Sequence, residues 1–169
     1  RDQRFDSVLQ YISPTFTDIT LIAGSFGSVS TTGDVLNVTG DMVYFGKLNT
    51  FSTINITLGT AKSTGGTFVY EYSTTGDTWK TLTVITDTTI SGSLGQLSQD
   101  GVVTFTPPVD WTTYSNVNSI GPLYWVRLRV TGGTFTTEPT LRWAVPDATI
   151  INNEILNDTF LTNGATSWS

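Results

Sequence analysis

Hydrophobic and polar residues alternate along most of this chain, which is the pattern of β-strands that bury one face. The clearest example is FSTINITLG, residues 51–59, where Ile54, Ile56 and Leu58 share one face and polar residues share the other. The similar segments are DITLIAG, DVLNVTG, DMVYFG, TFVYEYS, WKTLTVI, GVVTF, LYWVRLRVT and TLRWAV. About nine short segments separated by turns predict an all-β fold, an antiparallel β-sandwich or jelly roll.

The residues before Pro14 show a different spacing. Four apolar residues of RDQRFDSVLQYISP fall on one face at roughly helical intervals, namely Phe5, Val8, Leu9 and Ile12. Because proline ends the run, residues 1–14 are predicted to form a short amphipathic helix or an extended arm that docks on a neighbouring subunit. Residues 15–146 are then the β-sandwich domain. Removal of the arm is expected to leave that domain folded and to abolish assembly.

The segment after Pro146 begins a new apolar rhythm, DATIINNEILNDTFLTNGATSWS. Within it, LNDTFLTNGATSW resembles the first strand of many extracellular jelly-roll modules. Residues 147–169 are therefore expected to be a linker and the first strand of a further domain. The alternative is a C-terminal strand that is swapped onto a neighbouring subunit.

One apolar segment, LYWVRLRVT, contains two arginines, and its period of two separates two faces. The face predicted to line the core carries Tyr124, Val126, Leu128 and Val130. The face predicted to be exposed to solvent carries Trp125, Arg127 and Arg129. Such a basic stripe on an acidic protein needs counter-charges.

Glu71 is the natural counter-charge, because it also lies in the middle of an aromatic strand, TFVYEYS. A cross-strand ion pair between Glu71 and Arg127 is therefore predicted. An exposed pair of this kind adds about 0.2–1 kcal/mol to stability. If a loop covers the face, the pair fixes the strand register more than it stabilises the fold. The residues favour this structural role over ligand binding.

Tryptophan residues raise the hypothesis of a carbohydrate platform made by Trp79, Trp111 and Trp125. Sugar rings stack on exposed aromatic rings, and neighbouring Asn or Asp side chains bind hydroxyl groups. The competing interpretation is that these residues anchor the core of the sandwich, as most tryptophans do. Trp79 and Trp111 lie at strand–loop junctions, where an indole commonly closes the end of a core. The core interpretation is the stronger one.

Composition and charge exclude several classes of function. The net charge of −6 and the isoelectric point of about 4.3 argue against nucleic acid and anionic membranes as partners. The chain has no cysteine and no histidine, which excludes disulfides, thiolate chemistry and a Ser-His-Asp triad. Aspartates in turns show no calcium-loop spacing, so no metal or cofactor is expected. A carboxylate pair for glycoside hydrolysis stays open, although nothing favours it.

Three runs carry a family resemblance across roughly residues 40–145: DMVYFGKLNTFSTINITLGTAKSTGGTFVYEYSTTGDTWKTL, SQDGVVTFTPPVDW and GPLYWVRLRV. They resemble a β-sandwich module of tailed-bacteriophage virion proteins, which also occurs in large bacterial surface proteins. The resemblance implies a structural or adhesive role in head decoration, a head fibre, a tail fibre or a baseplate. It implies partners among other virion proteins and copies of the chain itself. It supplies no catalytic residues.

The resemblance thus implies a non-enzymatic structural component of a virion, located in the extracellular particle and acting through protein–protein contacts. The first alternative is a carbohydrate-binding module of a secreted or surface adhesin, with a glycan as its partner. The second is an enzyme that relies on carboxylates alone. Exposed coplanar aromatic rings would favour the first alternative, and two carboxylates facing each other across a cleft would favour the second.

Overall fold

A computed structural model describes residues 4–23, 36–114 and 117–146 of the chain. In these ranges the chain is almost entirely β-structure, with one turn of α-helix (α1, Thr20–Ala23) and one 3-10 turn (Gly92–Leu94). The strands are β1 Ser7–Ile12, β2 Thr15–Asp18, β3 Met42–Lys47, β4 Thr53–Thr60, β5 Thr67–Thr74, β6 Thr78–Thr81, β7 Val84–Asp87, β8 Gly101–Phe105, β9 Thr113–Tyr114, β10 Leu123–Gly132 and β11 Thr140–Val145.

The strands form two antiparallel sheets that pack face to face. The seven-stranded sheet has the order β2-β1-β3-β10-β5-β6, and β9 pairs with β10 outside this path. The four-stranded sheet has the order β11-β4-β8-β7. Each described pairing is antiparallel, so hairpin and crossover connections suffice and no helical layer is needed. The predicted all-β sandwich is confirmed.

The main core lies between the two sheets, and the alternating strands supply it. Ile54, Ile56 and Leu58 of β4 are buried in this core, as their spacing predicted. Full burial of one such side chain stabilises the fold by roughly 1.5–3 kcal/mol. An aromatic group closes one end, where the ring centroid of Phe51 lies 5.1 Å from that of Phe5 and 5.0 Å from that of Trp111. The sandwich is thus held by a continuous apolar layer.

The N-terminal arm is a wrong prediction, because its residues are part of the sandwich. Strand β1 pairs with β3 inside the seven-stranded sheet, and Phe5, Val8 and Leu9 are buried. Val8 packs in the main core and Leu9 packs on the opposite side of the sheet. Both faces of β1 are therefore covered, which produces a run of apolar neighbours that imitates a helix face. Ile12 is half-buried against the main core.

The domain boundary moves accordingly, because the sandwich begins at Phe5 and not at residue 15. The described part of the domain ends at Pro146. The predictions for residues 147–169, a linker with a further strand or a swapped strand, lie outside the described residues.

Three strand predictions need local correction. Part of DITLIAG forms α1, because the carboxylate of Asp18 accepts a hydrogen bond from the Thr20 amide at 2.9 Å and starts the turn. Part of DVLNVTG is a turn, since the Asp41 carboxylate accepts the amides of Asn37 and Val38 at 3.1 and 3.0 Å. WKTLTVI contains two strands, β6 and β7, that belong to different sheets. The chain crosses between the sheets at buried Leu82.

Candidate interaction face

The outer face of the seven-stranded sheet carries a second apolar cluster. Its buried members are Leu9, Tyr44, Val117, Leu123 and Trp125. The residues of β10 that were predicted to face solvent therefore lie on a partly covered surface. Trp125 is 0% exposed, so the prediction that it tops a solvent-facing stripe is wrong. The opposite face of β10 is as predicted, with Val126, Leu128 and Val130 in the main core and Tyr124 partly buried against it.

A short segment covers Trp125. Val117 and Ile120 form a β-bridge around a turn, and both pack against the second cluster. Asn118 and Ser119 in this turn adopt positive φ values of 49° and 60°, a conformation that tight turns require. This segment shields Trp125 and the part of the outer face around it from solvent.

Glu71 lies between two arginines on this face. Strand pairing sets Arg127 directly opposite Glu71, and the Arg127 Nε donates to Glu71 Oε2 at 2.6 Å. The Arg129 Nε donates to the same oxygen at 3.1 Å, and its Nη2 donates to Oε1 at 2.7 Å. The predicted Glu71–Arg127 pair is confirmed. The second partner, Arg129, is the diagonal neighbour of Glu71 on the same face. The alternation in LYWVRLRVT, which puts Arg127 and Arg129 on one face, could have predicted this second contact.

The electrostatics of this cluster favour the charged forms of Glu71 and Arg129. Burial favours a raised pKa for Glu71, but hydrogen bonds and charges from Arg129 and Arg127 outweigh it and lower the pKa below its ordinary value. The hydrogen bond from Glu71 raises the pKa of Arg129. A carboxylate held in this way is a poor proton donor or acceptor at neutral pH. The cluster is therefore a structural and charge-bearing feature, not an acid–base centre.

Trp79 packs beside this cluster. The guanidinium carbon of Arg127 lies 4.2 Å from the centroid of the Trp79 ring, which is cation–π geometry. Tyr44 meets the same indole edge to face, with centroids 5.6 Å apart. One face of the half-buried indole is thus covered by Arg127.

The carbohydrate platform is a wrong prediction. Trp111 is buried on the inner side of the sheet, where its Nε1 donates to the Trp125 carbonyl at 3.1 Å. Trp125 is buried on the outer side. Trp79, the half-buried third member, shares no open surface with the other two, so a flat stacking platform of these tryptophans does not form. The physical reason is that indoles bury large areas and fill both apolar layers.

A row of half-buried side chains remains accessible next to Arg127. It crosses four neighbouring strand pairs in register: Phe16 pairs with Tyr11, Tyr11 with Met42, Met42 with Arg129, and Arg129 with Val69. We call these five residues the open row. Phe16, Tyr11 and Met42 pack against the second apolar cluster and keep part of their surface in solvent. The open row is thus an apolar stripe that contains one cation.

A separate groove of about 330 Å³ lies at the edge where β6 passes into β7. Its lining includes Tyr72, Leu82, Ile85, Pro107 and Val109, and the last of these is fully exposed. This lining contains no carboxylate and no basic side chain, and Tyr72 is its one side chain that can titrate.

Next to the groove, Asp110 accepts hydrogen bonds from Lys80 at 2.5 Å and from the Tyr72 hydroxyl at 2.8 Å. These hydrogen bonds lower the pKa of Asp110. Both charged side chains of this pair are largely exposed, so the pair is a surface feature.

Residues 4–23, 36–114 and 117–146 contain neither a cluster of metal-ligating side chains nor a helix that could span a membrane. No group of three or more acidic, histidine or cysteine residues is arranged to hold a metal ion in these ranges. No helix in them has the length and apolar character needed to span a bilayer.

Comparison with known proteins adds no family. No protein-family model matches the chain, and no curated protein matches its sequence.

Proposed function

We propose that this protein is a non-enzymatic structural module of a virion, of the head-decoration, fibre or baseplate type, which works through contacts with other proteins. The observation that carries the proposal is the open row. Four apolar side chains and one guanidinium lie side by side on one sheet face, and each keeps part of its surface in solvent. Contiguous apolar surface is a common feature of sites of protein association. The virion context comes from the resemblance of residues 40–145 to phage modules.

The state of the charged groups supports the same proposal. Glu71, the most buried carboxylate of the outer face, uses both oxygens to bind arginines. Asp110 is bound by Lys80 and Tyr72. Neither carboxylate faces another across a cleft, which is the arrangement that glycoside hydrolysis needs. The bonds made by these two carboxylates support the fold and leave neither of them free for such a reaction.

Sedimentation velocity of the full chain over a range of concentrations tests the association. We expect the sedimentation coefficient to rise with concentration and to stay at the monomer value in a Met42→Lys variant, which places a second cation in the open row. An antibody to the folded chain should label purified particles from the natural source. A chain that stays monomeric, and that no particle carries, contradicts the proposal.

Carbohydrate binding is the second candidate, and it depends on Trp79 alone after the burial of Trp111 and Trp125. A glycan array with the full chain and a Trp79→Ala variant decides between the two. Glycan binding that disappears with Trp79 would replace the assembly proposal. Absence of binding removes carbohydrate binding as a candidate.

A further inference from the structure

The Glu71 cluster holds two guanidinium groups and one carboxylate. Arg127 and Arg129 share the single carboxylate of Glu71, with side-chain exposures of 17%, 32% and 10% in that order. A partly buried cation that shares its counter-charge with a second cation can be stabilised by a further carboxylate. Arg129 is the more exposed of the two arginines, and its guanidinium has five N–H donors, of which Nε and Nη2 serve Glu71. A further carboxylate that approaches from solvent meets Arg129 first.

The neighbours of Arg129 indicate which side chains a binding partner must carry next to that carboxylate. Met42 lies on one side of Arg129 and Val69 on the other, and Tyr11 and Phe16 extend the row away from Met42. Five positions across adjacent strands cover about 19 Å at the usual strand spacing. A complementary segment therefore carries one acidic side chain flanked by apolar side chains over a few residues.

The sequence itself contains such a segment. Residues 147–169 include Asp147, Glu154 and Asp158 and no lysine or arginine. Glu154 is flanked by the apolar pairs of residues 150–151 and 155–156, which read II and IL. A carboxylate between apolar side chains is complementary to Arg129, which lies between the apolar side chains of the open row.

The position of Pro146 favours a second copy of the chain as the source of the segment. Val145 pairs with Asn55, so β11 ends near Phe51, at the end of the sandwich where Trp111 meets Tyr124. Arg129 lies further along β10, about 17 Å beyond Tyr124, on the outer face of the other sheet.

A chain from Pro146 to Arg129 must first pass round two sheets that are about 10 Å apart, with their covering side chains, and then run back along the outer face. Residues 147–154 span at most about 28 Å when fully extended. This length leaves little margin for Glu154 of the same chain over that route, whereas Glu154 of a second copy has no such restriction.

We propose that residues 150–161 of a second copy of this chain dock on the open row and place Glu154 at Arg129. This inference rests on the proposed function, because it names the partner through which the module assembles. The contact is heterologous, since a terminal segment of one copy meets the sheet face of the next. Repetition of such a contact produces rings or filaments.

Disulfide trapping tests the docking directly, because the chain has no cysteine of its own. Full-length Val69→Cys and Ile155→Cys chains, carrying different affinity tags, are mixed and oxidised mildly. We expect a reducible dimer that contains both tags. The matched control is Ile85→Cys, an exposed apolar position on β7 of the other sheet, which should give no such dimer with Ile155→Cys. Equal trapping at both positions, or no trapping at either, overturns the docking.

The double variant Val69→Cys/Ile155→Cys separates the two sources of the segment. A cross-linked dimer supports docking from a second copy. A cross-linked monomer shows that the chain binds its own segment and overturns the proposal.

Charge reversal gives an independent readout in sedimentation experiments. Glu154→Arg alone should weaken self-association by about tenfold or more, and the double variant Arg129→Glu/Glu154→Arg should restore it. Circular dichroism of each variant checks that the sandwich is folded. Self-association that neither the single nor the double variant changes would contradict the docking of residues 150–161. It would leave the proposed assembly function intact. A wild-type chain that never associates contradicts both.

Discussion

The indole of Trp125 lies directly on the backbone of Gly46. A Cβ atom added to that glycine would stand 2.6 Å from the ring and 2.8 Å from Leu123, closer than side-chain atoms pack. Gly46 therefore provides space on β3 for the residue that anchors the second apolar cluster. This contact allows the outer face of the sheet to be covered, and it places Arg127 and Glu71 beside the cover.

Gly46→Ala should destabilise the fold. The added methyl group forces Trp125 and Leu123 out of their positions, and overpacking of this kind costs about 1–3 kcal/mol. Urea denaturation followed by tryptophan fluorescence measures the change. Gly132→Ala in β10 is the matched control, because an added Cβ there meets its nearest atom at an ordinary 3.7 Å. Similar losses in both variants would show that strand glycines matter for another reason.

Glu71→Gln should also lower the free energy of unfolding, since it leaves two guanidiniums without a carboxylate. We expect a loss on the order of 2–3 kcal/mol, less than for a fully buried pair because Arg129 is partly solvated. Lys80→Gln, which breaks the exposed pair with Asp110, is the control and should change the urea midpoint little. If the two variants behave alike, the Glu71 cluster contributes no more than a surface ion pair.

Stability should fall in acid through Glu71. The folded pKa of this group is depressed, so its contribution is complete above the unfolded value of about 4.3 and is lost as pH falls through the lower folded pKa. Urea midpoints of wild type and Glu71→Gln from pH 7 to pH 3 measure the effect. The difference between the two urea midpoints should be constant near neutral pH and should narrow below about pH 4.3. A difference between the midpoints that widens in acid would contradict this prediction.

Deletion of residues 1–14 should unfold the protein. The deletion removes β1, whose backbone pairs with β3 and whose Val8 and Leu9 pack in two different cores. Loss of cooperative thermal unfolding, followed by near-ultraviolet circular dichroism, is the expected result. Deletion of residues 1–3, which precede the first described residue, is the control and should leave the transition in place. A cooperative transition in the longer deletion would restore the idea of a detachable arm.

Much of the candidate site was visible in the sequence because its causes are local. The period of two in LYWVRLRVT places Arg127 and Arg129 on one face, and Glu71 sits in the middle of a neighbouring strand pattern. Their pairing follows from strand register, which turns and side-chain alternation set. The open row was not visible, because its five residues come from five strands that are distant in sequence.

The sequence by itself determined the class of the fold, through alternating strands such as FSTINITLG, and it excluded thiol and histidine chemistry through composition. Only the tertiary structure decided which faces meet water. Val8 and Leu9 point to opposite sides of β1 and are both buried, and Trp125 is enclosed by Val117 and Gly46. Alternation tells which residues share a face, but coverage of that face depends on segments far away in the chain.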